Sequence, residues 1–186
     1  MATASAVTDK MGEWFRVGDA PTLVVRPLRE AEMTIIHVCR EYPLSGPSVV
    51  IPAEDAFLLV LYLRDTEHSD IFQDRPPAPF RIYPKGSICL INLAAGAAIS
   101  VRGQFEALAI HLPRKHLAEL AEQTEAPSVD DLAVCRGRDD PTVRDIGAAL
   151  LPLIGQRDVD RSLVAHIALA LNAHIVHCYG RTRRTH

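Results

Sequence analysis

The chain has no uninterrupted apolar run of the roughly 18 residues that a membrane-spanning helix needs, and its first 20 residues, broken by Lys10 and Glu13, hold no secretory apolar core. These absences predict a cytoplasmic protein. Cys39, Cys89, Cys135 and Cys178 are far apart and form no C-x-x-C pair, which fits reduced, packed thiols better than a disulfide framework or a zinc knuckle. Positive charge is not in excess: 20 Lys+Arg against 23 Asp+Glu give a net charge of -3 and a pI near 6.2, so no overall field recruits nucleic acid. Catalytic fingerprints are also lacking, with no G-x-S-x-G elbow, no G-x-x-x-x-G-K-[ST] loop and no dinucleotide fingerprint after a strand. The adjacent carboxylates Glu54-Asp55 and Asp139-Asp140 read as a solvated turn and a helix cap, because neighbours on an extended strand face opposite ways.

What is present is one ordinary domain: 186 residues, 48% hydrophobic and 23% charged, with a mean hydropathy of +0.06, enough to bury a proper core. Short β-rich runs recur between turn signals at 22–26, 33–39, 56–63, 86–93, 97–102 and, past Gly103, 105–112. The run 56–63 is almost continuously apolar, as a strand buried on both faces would be. Segment 64–70 is polar, and Pro76, Pro77, Pro79 and Pro84 punctuate 75–85 as a loop and short edge strand. Seven or eight such strands predict a sandwich or barrel.

From Pro113 the period changes. Leu117, Leu120 and Ala121 mark a short amphipathic helix, and 123–138 reads as a loop. Asp140 before Pro141 starts a second helix with the stripe Val143, Ile146, Leu150, Leu153 and Ile154, which Pro152 kinks or ends. A final helix spans about 160–179 with Gly180 as its stop. Leu163, Ile167, Ala170, Leu171, His174 and Cys178 form one apolar stripe of that helix, and Val164, Ala168, Ile175 and Tyr179 form another. A helix apolar on two sides needs two partners. Its own domain supplies one; the same helix of a second subunit supplies the other through His166, Ala170, Ala173 and His177. Complete burial within the monomer is the alternative.

Eight histidines raise the question of a metal, but no His-x-His pair is present. His37 with Cys39 on one strand and His111 on the last strand form a scattered candidate set, against the blander reading of hydrogen-bonded core histidines. His174, His177 and Cys178 share a helical turn and need outside ligands to complete a tetrahedral site. The terminal Arg181, Arg183, Arg184 and His186 read as the start of a solvated linker.

The order of EDAFLLVLYLRD (54–65), His68, FQDRP (72–76), YPKGSICLINL (83–93), FEALAIHLPRKHLAELA (105–121), DDPTVRDIGAALLPLI (139–154) and LVAHIALALNAHIVHCYG (163–180) resembles the N-terminal sensor domain of AraC-family transcriptional regulators. The resemblance covers nearly all of the chain after about residue 20. It implies an α+β fold: an N-terminal segment at 1–20, a cupin-like β-barrel at 21–112 that binds an effector, a helical dimerisation region at 113–180, and at 181–186 the start of a linker to a helix-turn-helix DNA-binding domain absent from this chain.

The resulting expectation is a non-enzymatic, homodimeric sensor without metal or cofactor, touching DNA only through that missing domain. A small barrel has room for one small ligand or for its own side chains. Candidate lining residues are Phe57, Leu59 and Leu61 on one face of the apolar strand, with Tyr83, Cys89, Arg102 and His111 as polar or aromatic contributors. Strand pattern leaves the inward face open by one residue. A metal-dependent cupin-type enzyme using His37 and His111 is the alternative.

Overall fold

Seventeen consecutive residues, Ala97–Pro113, form the strand around which the other strands assemble, in a computed structural model that describes residues 3–28, 32–43, 47–124 and 129–182. In chain order the elements are α1 (Thr3–Phe15), β1 (Thr22–Val25), β2 (Met33–Tyr42), β3 (Val49–Ile51), β4 (Ala56–Tyr62), β5 (Thr66–Ile71), β6 (Arg81–Tyr83), β7 (Ser87–Asn92) and β8 (Ala97–Pro113). They continue with α2 (Lys115–Thr124), β9 (Asp131–Leu132), β10 (Cys135–Asp139), α3 (Pro141–Leu150), α4 (Arg161–Tyr179) and β11 (Gly180–Arg181). This is the α+β architecture expected of a cupin-like barrel followed by helices.

The C-terminal half of β8 pairs antiparallel with β2, from Tyr42↔Gly103 to Thr34↔His111, and with β4, from Tyr62↔Ala107 to Ala56↔Pro113. Its N-terminal half pairs instead with β3 and β5. The exchange of partners falls at Gly103, whose φ of 77° is a conformation that side-chain-bearing residues rarely adopt. The sequence reading placed a strand break at this glycine; here the glycine bends one continuous strand, and the bend folds the two halves of the sheet over a common interior.

One other expectation needs correction, and one polar stretch given no element proves to hold a strand. The polar stretch 64–70 contains β5, whose Thr66 and His68 are buried while Glu67 between them is not. The supposed loop 123–138 contains β9 and β10, and β10 closes the end of the sheet beside β7. The proline-rich segment does carry a short edge strand, β6, which pairs with β5 alone.

Alternation along the strands feeds two cores. On the inner face, Ile36, Val38, Leu58, Val60, Cys89 and Phe105 pack with Met11, Trp14 and Phe15 of α1, a helix that the sequence reading left as an undivided segment. On the outer face, Ile35, Phe57, Leu59, Leu61, Leu90 and Ile110 pack against Val143 and Leu150 of α3 and Val164, Ala168, Leu171 and Ile175 of α4. Strand β4 is buried at every position, as its continuous apolar run predicted.

The helix signals correspond closely. Asp140 caps α3 by accepting the Val143 N–H at 3.1 Å, Pro141 begins the helix, and a 3-10 turn through Pro152 ends it. Asp160 caps α4. Helix α4 has 19 residues and a mean hydropathy of 1.3, enough by length and composition to cross a membrane, yet its inner face is packed on the domain. Its opposite face, with Leu163, His166, Ala170, Ala173 and His177, is exposed in the single chain.

Candidate functional site in the barrel interior

The bend at Gly103 and the inward residues of β4, β5, β7 and β8 line a partly open cavity of about 30 Å³. Its walls are mostly apolar, with Leu58, Val60, Ile99 and Phe105 from the sheet and Phe15 from α1. Helix α1 closes one end. Tyr42 donates its hydroxyl to the Phe15 carbonyl at 2.5 Å, Lys10 pairs with Glu54 at 2.9 Å, and the Phe15 ring lies 6.0 Å from that of Phe105.

A compact polar cluster faces this apolar space. The Tyr62 hydroxyl lies 2.7 Å from His68 Nε2 and 3.4 Å from Cys89 Sγ, and the Gly137 N–H donates to the same sulfur at 3.4 Å. The His68 ring stacks on Tyr83 with centroids 3.9 Å apart and planes 2° from parallel. Arg136 Nε donates to Asp70 Oδ2 at 3.1 Å. His68 is only 2% exposed, and its second ring nitrogen, Nδ1, is buried with no hydrogen-bond partner among the described residues. Such orphaned atoms are rare in folded proteins.

Burial sets the charge of the cluster. Loss of solvent pushes His68 down to about 4, with Arg136 and Arg81 adding to the effect and Asp70 opposing it. Burial also raises the Tyr62 phenol and the Cys89 thiol. At neutral pH the histidine, phenol and thiol are therefore uncharged, and the one ion pair is Asp70–Arg136.

The structure places the expected residues unequally. Phe57, Leu59 and Leu61 face the helices and not the cavity; the inward set is Leu58, Val60 and Tyr62, one residue out of step with the expectation. Tyr83 and Cys89 belong to the interior. Arg102 does not: it is exposed, 3.2 Å from Glu67 and stacked over the Phe80 ring. His111 lies on the inner face but toward α1, with its ring 5.9 Å from Trp14 and Nε2 3.5 Å from Glu54. Sequence reasoning missed Tyr62, His68, Asp70 and Arg136 as site residues.

The histidines considered as metal ligands do not converge. Thr34 is the partner of His111, so His37, three residues further along β2, sits on the other face of the sheet, 3.2 Å from Glu106. Among the described residues no group of three or more His, Cys, Asp or Glu side chains could hold a metal ion. His174 is instead bound to Asp140 through Nε2 at 2.9 and 3.0 Å, with Cys178 Sγ 3.7 Å from its Nδ1. Asp140 also accepts the Tyr179 hydroxyl at 2.6 Å, so one buried carboxylate ties the start of α3 to the last turn of α4. Arg183, Arg184 and His186 lie outside the described residues.

The class that fold and site define is an α+β barrel protein with appended helices and a small, largely apolar interior. No family model and no curated protein matches the chain. Among solved structures, a candidate mannose-6-phosphate isomerase from Ralstonia eutropha JMP134 overlaps 52% of this chain and 89% of its own length, with a TM-score of 0.32 at 13% identity. A predicted oxalate decarboxylase from Thermotoga maritima overlaps 51% of this chain and 94% of its own, with a TM-score of 0.30 at 11% identity. The Drosophila melanogaster CENP-C cupin domain overlaps 60% of this chain and 98% of its own, with a TM-score of 0.29 at 11% identity. Similarities of this size carry no argument about activity, substrate or partner.

Proposed function

We propose that the chain is the effector-sensing and dimerising part of a cytoplasmic transcriptional regulator of the AraC family, non-enzymatic, with a small molecule in the barrel controlling a helix-turn-helix DNA-binding domain outside this chain. The observation that carries the reading is the polar cluster on an otherwise apolar cavity wall, with Tyr62, His68 and Cys89 buried and the Asp70–Arg136 pair at its solvent-facing edge. His111 and Asn172 also bury nitrogens without a partner among the described residues; what sets His68 apart is that it lines the cavity together with Tyr62, Cys89, Asp70 and Arg136.

A short covalent path supports coupling to the helices. Arg136 lines the cavity from β10, and four residues later Asp140 caps α3 and holds His174 and Tyr179 of α4. A ligand that repositions β10 therefore acts on the relative placement of α3 and α4, to the extent that it binds the two arrangements with different affinity. Homodimerisation is assigned to the outward face of α4, through His166, Ala170, Ala173 and His177, all exposed in the single chain. The test is a thermal-shift screen against a metabolite collection. A true effector at a hundredfold its dissociation constant stabilises by about 2.7 kcal/mol and changes the sedimentation of the dimer. A collection that produces no stabilising compound refutes the sensor reading.

A further inference from the structure

Taking the barrel as an effector site, we infer that its ligand is a small uncharged molecule with an apolar body and one hydroxyl, an alcohol or phenol, and that the hydroxyl pairs with His68.

The hydroxyl follows from counting protons. Tyr62 has one hydroxyl hydrogen, and both His68 Nε2 at 2.7 Å and Cys89 Sγ at 3.4 Å are within its reach. If the hydrogen goes to Nε2, the neutral ring carries its own proton on Nδ1 and needs an acceptor. If it goes to sulfur, Nε2–H donates to the phenol oxygen, and Nδ1 is a bare acceptor needing a donor. A hydroxyl answers either state, because it both donates and accepts. A methyl group answers neither. The ring itself is held firmly, stacked 3.9 Å from Tyr83, so it cannot turn away to find a partner without losing that contact.

The absence of charge follows from the lining. Arg136 is the one cation among the described lining residues; it sits at the solvent-facing edge, and its charge is balanced by Asp70, which accepts from its Nε at 3.1 Å. A ligand carboxylate would be desolvated among Val60, Ile99 and Phe105 without a free counter-charge. The same walls accept an aliphatic or aromatic body, and the Phe15 ring already occupies one side of the space. The cavity of about 30 Å³ is close to one water's share of liquid volume. A larger body enters only if the lining moves apart.

Phenol, toluene and benzoate are matched probes, since they share one ring and differ in hydroxyl, methyl and carboxylate. They are titrated into the whole chain, with nitrogen-15-labelled histidine reporting on His68. Phenol is expected to bind about tenfold more tightly than toluene and to move the His68 Nδ1 resonance, while benzoate leaves it unchanged. In His68→Phe, which keeps a ring to stack on Tyr83, the advantage of phenol over toluene disappears. If that variant does not fold, the comparison in the unaltered chain still decides. Equal binding of phenol and toluene overturns the hydroxyl assignment and leaves the effector reading standing; preferential binding of benzoate overturns the uncharged class. Failure of all three to bind overturns the assignment, and the metabolite screen then decides the effector reading separately.

Discussion

Acid sensitivity is the sharpest quantitative consequence of the buried histidines. Loss of solvent holds His68 and His116 each at about 4, against an ordinary value of 6.5. Between those two values the unfolded chain takes up a proton that the folded chain refuses, so stability falls as pH falls through the window and is nearly level above it. For one such histidine the loss from pH 7 to pH 5 is about 2 kcal/mol, growing to about 3 kcal/mol at pH 4. Two together remove about 4 kcal/mol by pH 5, a large part of the roughly 5–15 kcal/mol that holds a domain folded. His111 is displaced in the same direction by burial and adds to the trend. The assay is urea unfolding at fixed protein concentration from pH 8 to pH 5, comparing the natural chain with His68→Gln, whose amide can still meet the Tyr62 hydroxyl. The slope in urea should not change, because the exposed surface does not. The natural chain should lose about 2 kcal/mol more than the variant between pH 7 and pH 5, with His116 and His111 contributing equally to both. Parallel stability curves for the two proteins refute the assignment of His68 as a buried neutral group.

Three further outcomes are expected. Tyr179→Phe removes the 2.6 Å hydrogen bond to Asp140 and should cost about 2 kcal/mol at pH 7, as bonds to charged groups do. Burial alone would raise Asp140, but the bonds from Tyr179, His174 and the Val143 N–H outweigh it and hold the carboxyl below 3.8; the cost should therefore shrink as the pH falls below that value, and a pH-independent difference in unfolding experiments contradicts this. At Gly147 of α3 a Cβ would lie 2.2 Å from Leu61 Cδ2, so Gly147→Ala should lose about 1 kcal/mol in urea unfolding, with overpacking outweighing the gain in helix propensity; a stabilised variant disproves that close approach. Ala170→Glu on the exposed face of α4 should raise the dissociation constant of the proposed dimer by at least about tenfold while leaving the circular dichroism unchanged, and unchanged sedimentation removes α4 as the proposed interface.

The residues that sequence reasoning missed share a physical cause. Strand β4 is buried on both faces, so each of its positions is apolar, and an alternation that would show which side faces inward does not exist. Choosing Phe57, Leu59 and Leu61 over Leu58, Val60 and Tyr62 was therefore a choice between two equivalent patterns, and only the packing of α1 inside and α3 and α4 outside distinguishes them. Strand β5 shows the opposite difficulty. Its inward His68 and Asp70 are polar because they belong to the cluster, and its outward Glu67 is polar because it meets solvent, so both faces look like a loop. Arg136 lies on β10, none of whose residues is fully buried, so that segment carries no apolar face to mark it as a strand. Local signals were plain where one residue acts on its near neighbours, as Asp140 and Pro141 do at the start of α3. The second role of Asp140 depends on His174 and Tyr179, 34 and 39 residues away, and no local period encodes it. Polarity on the inner face of a strand destroys the very alternation by which strands are recognised, so in a barrel of this kind a strand-length polar segment between apolar strands is where site residues should first be sought.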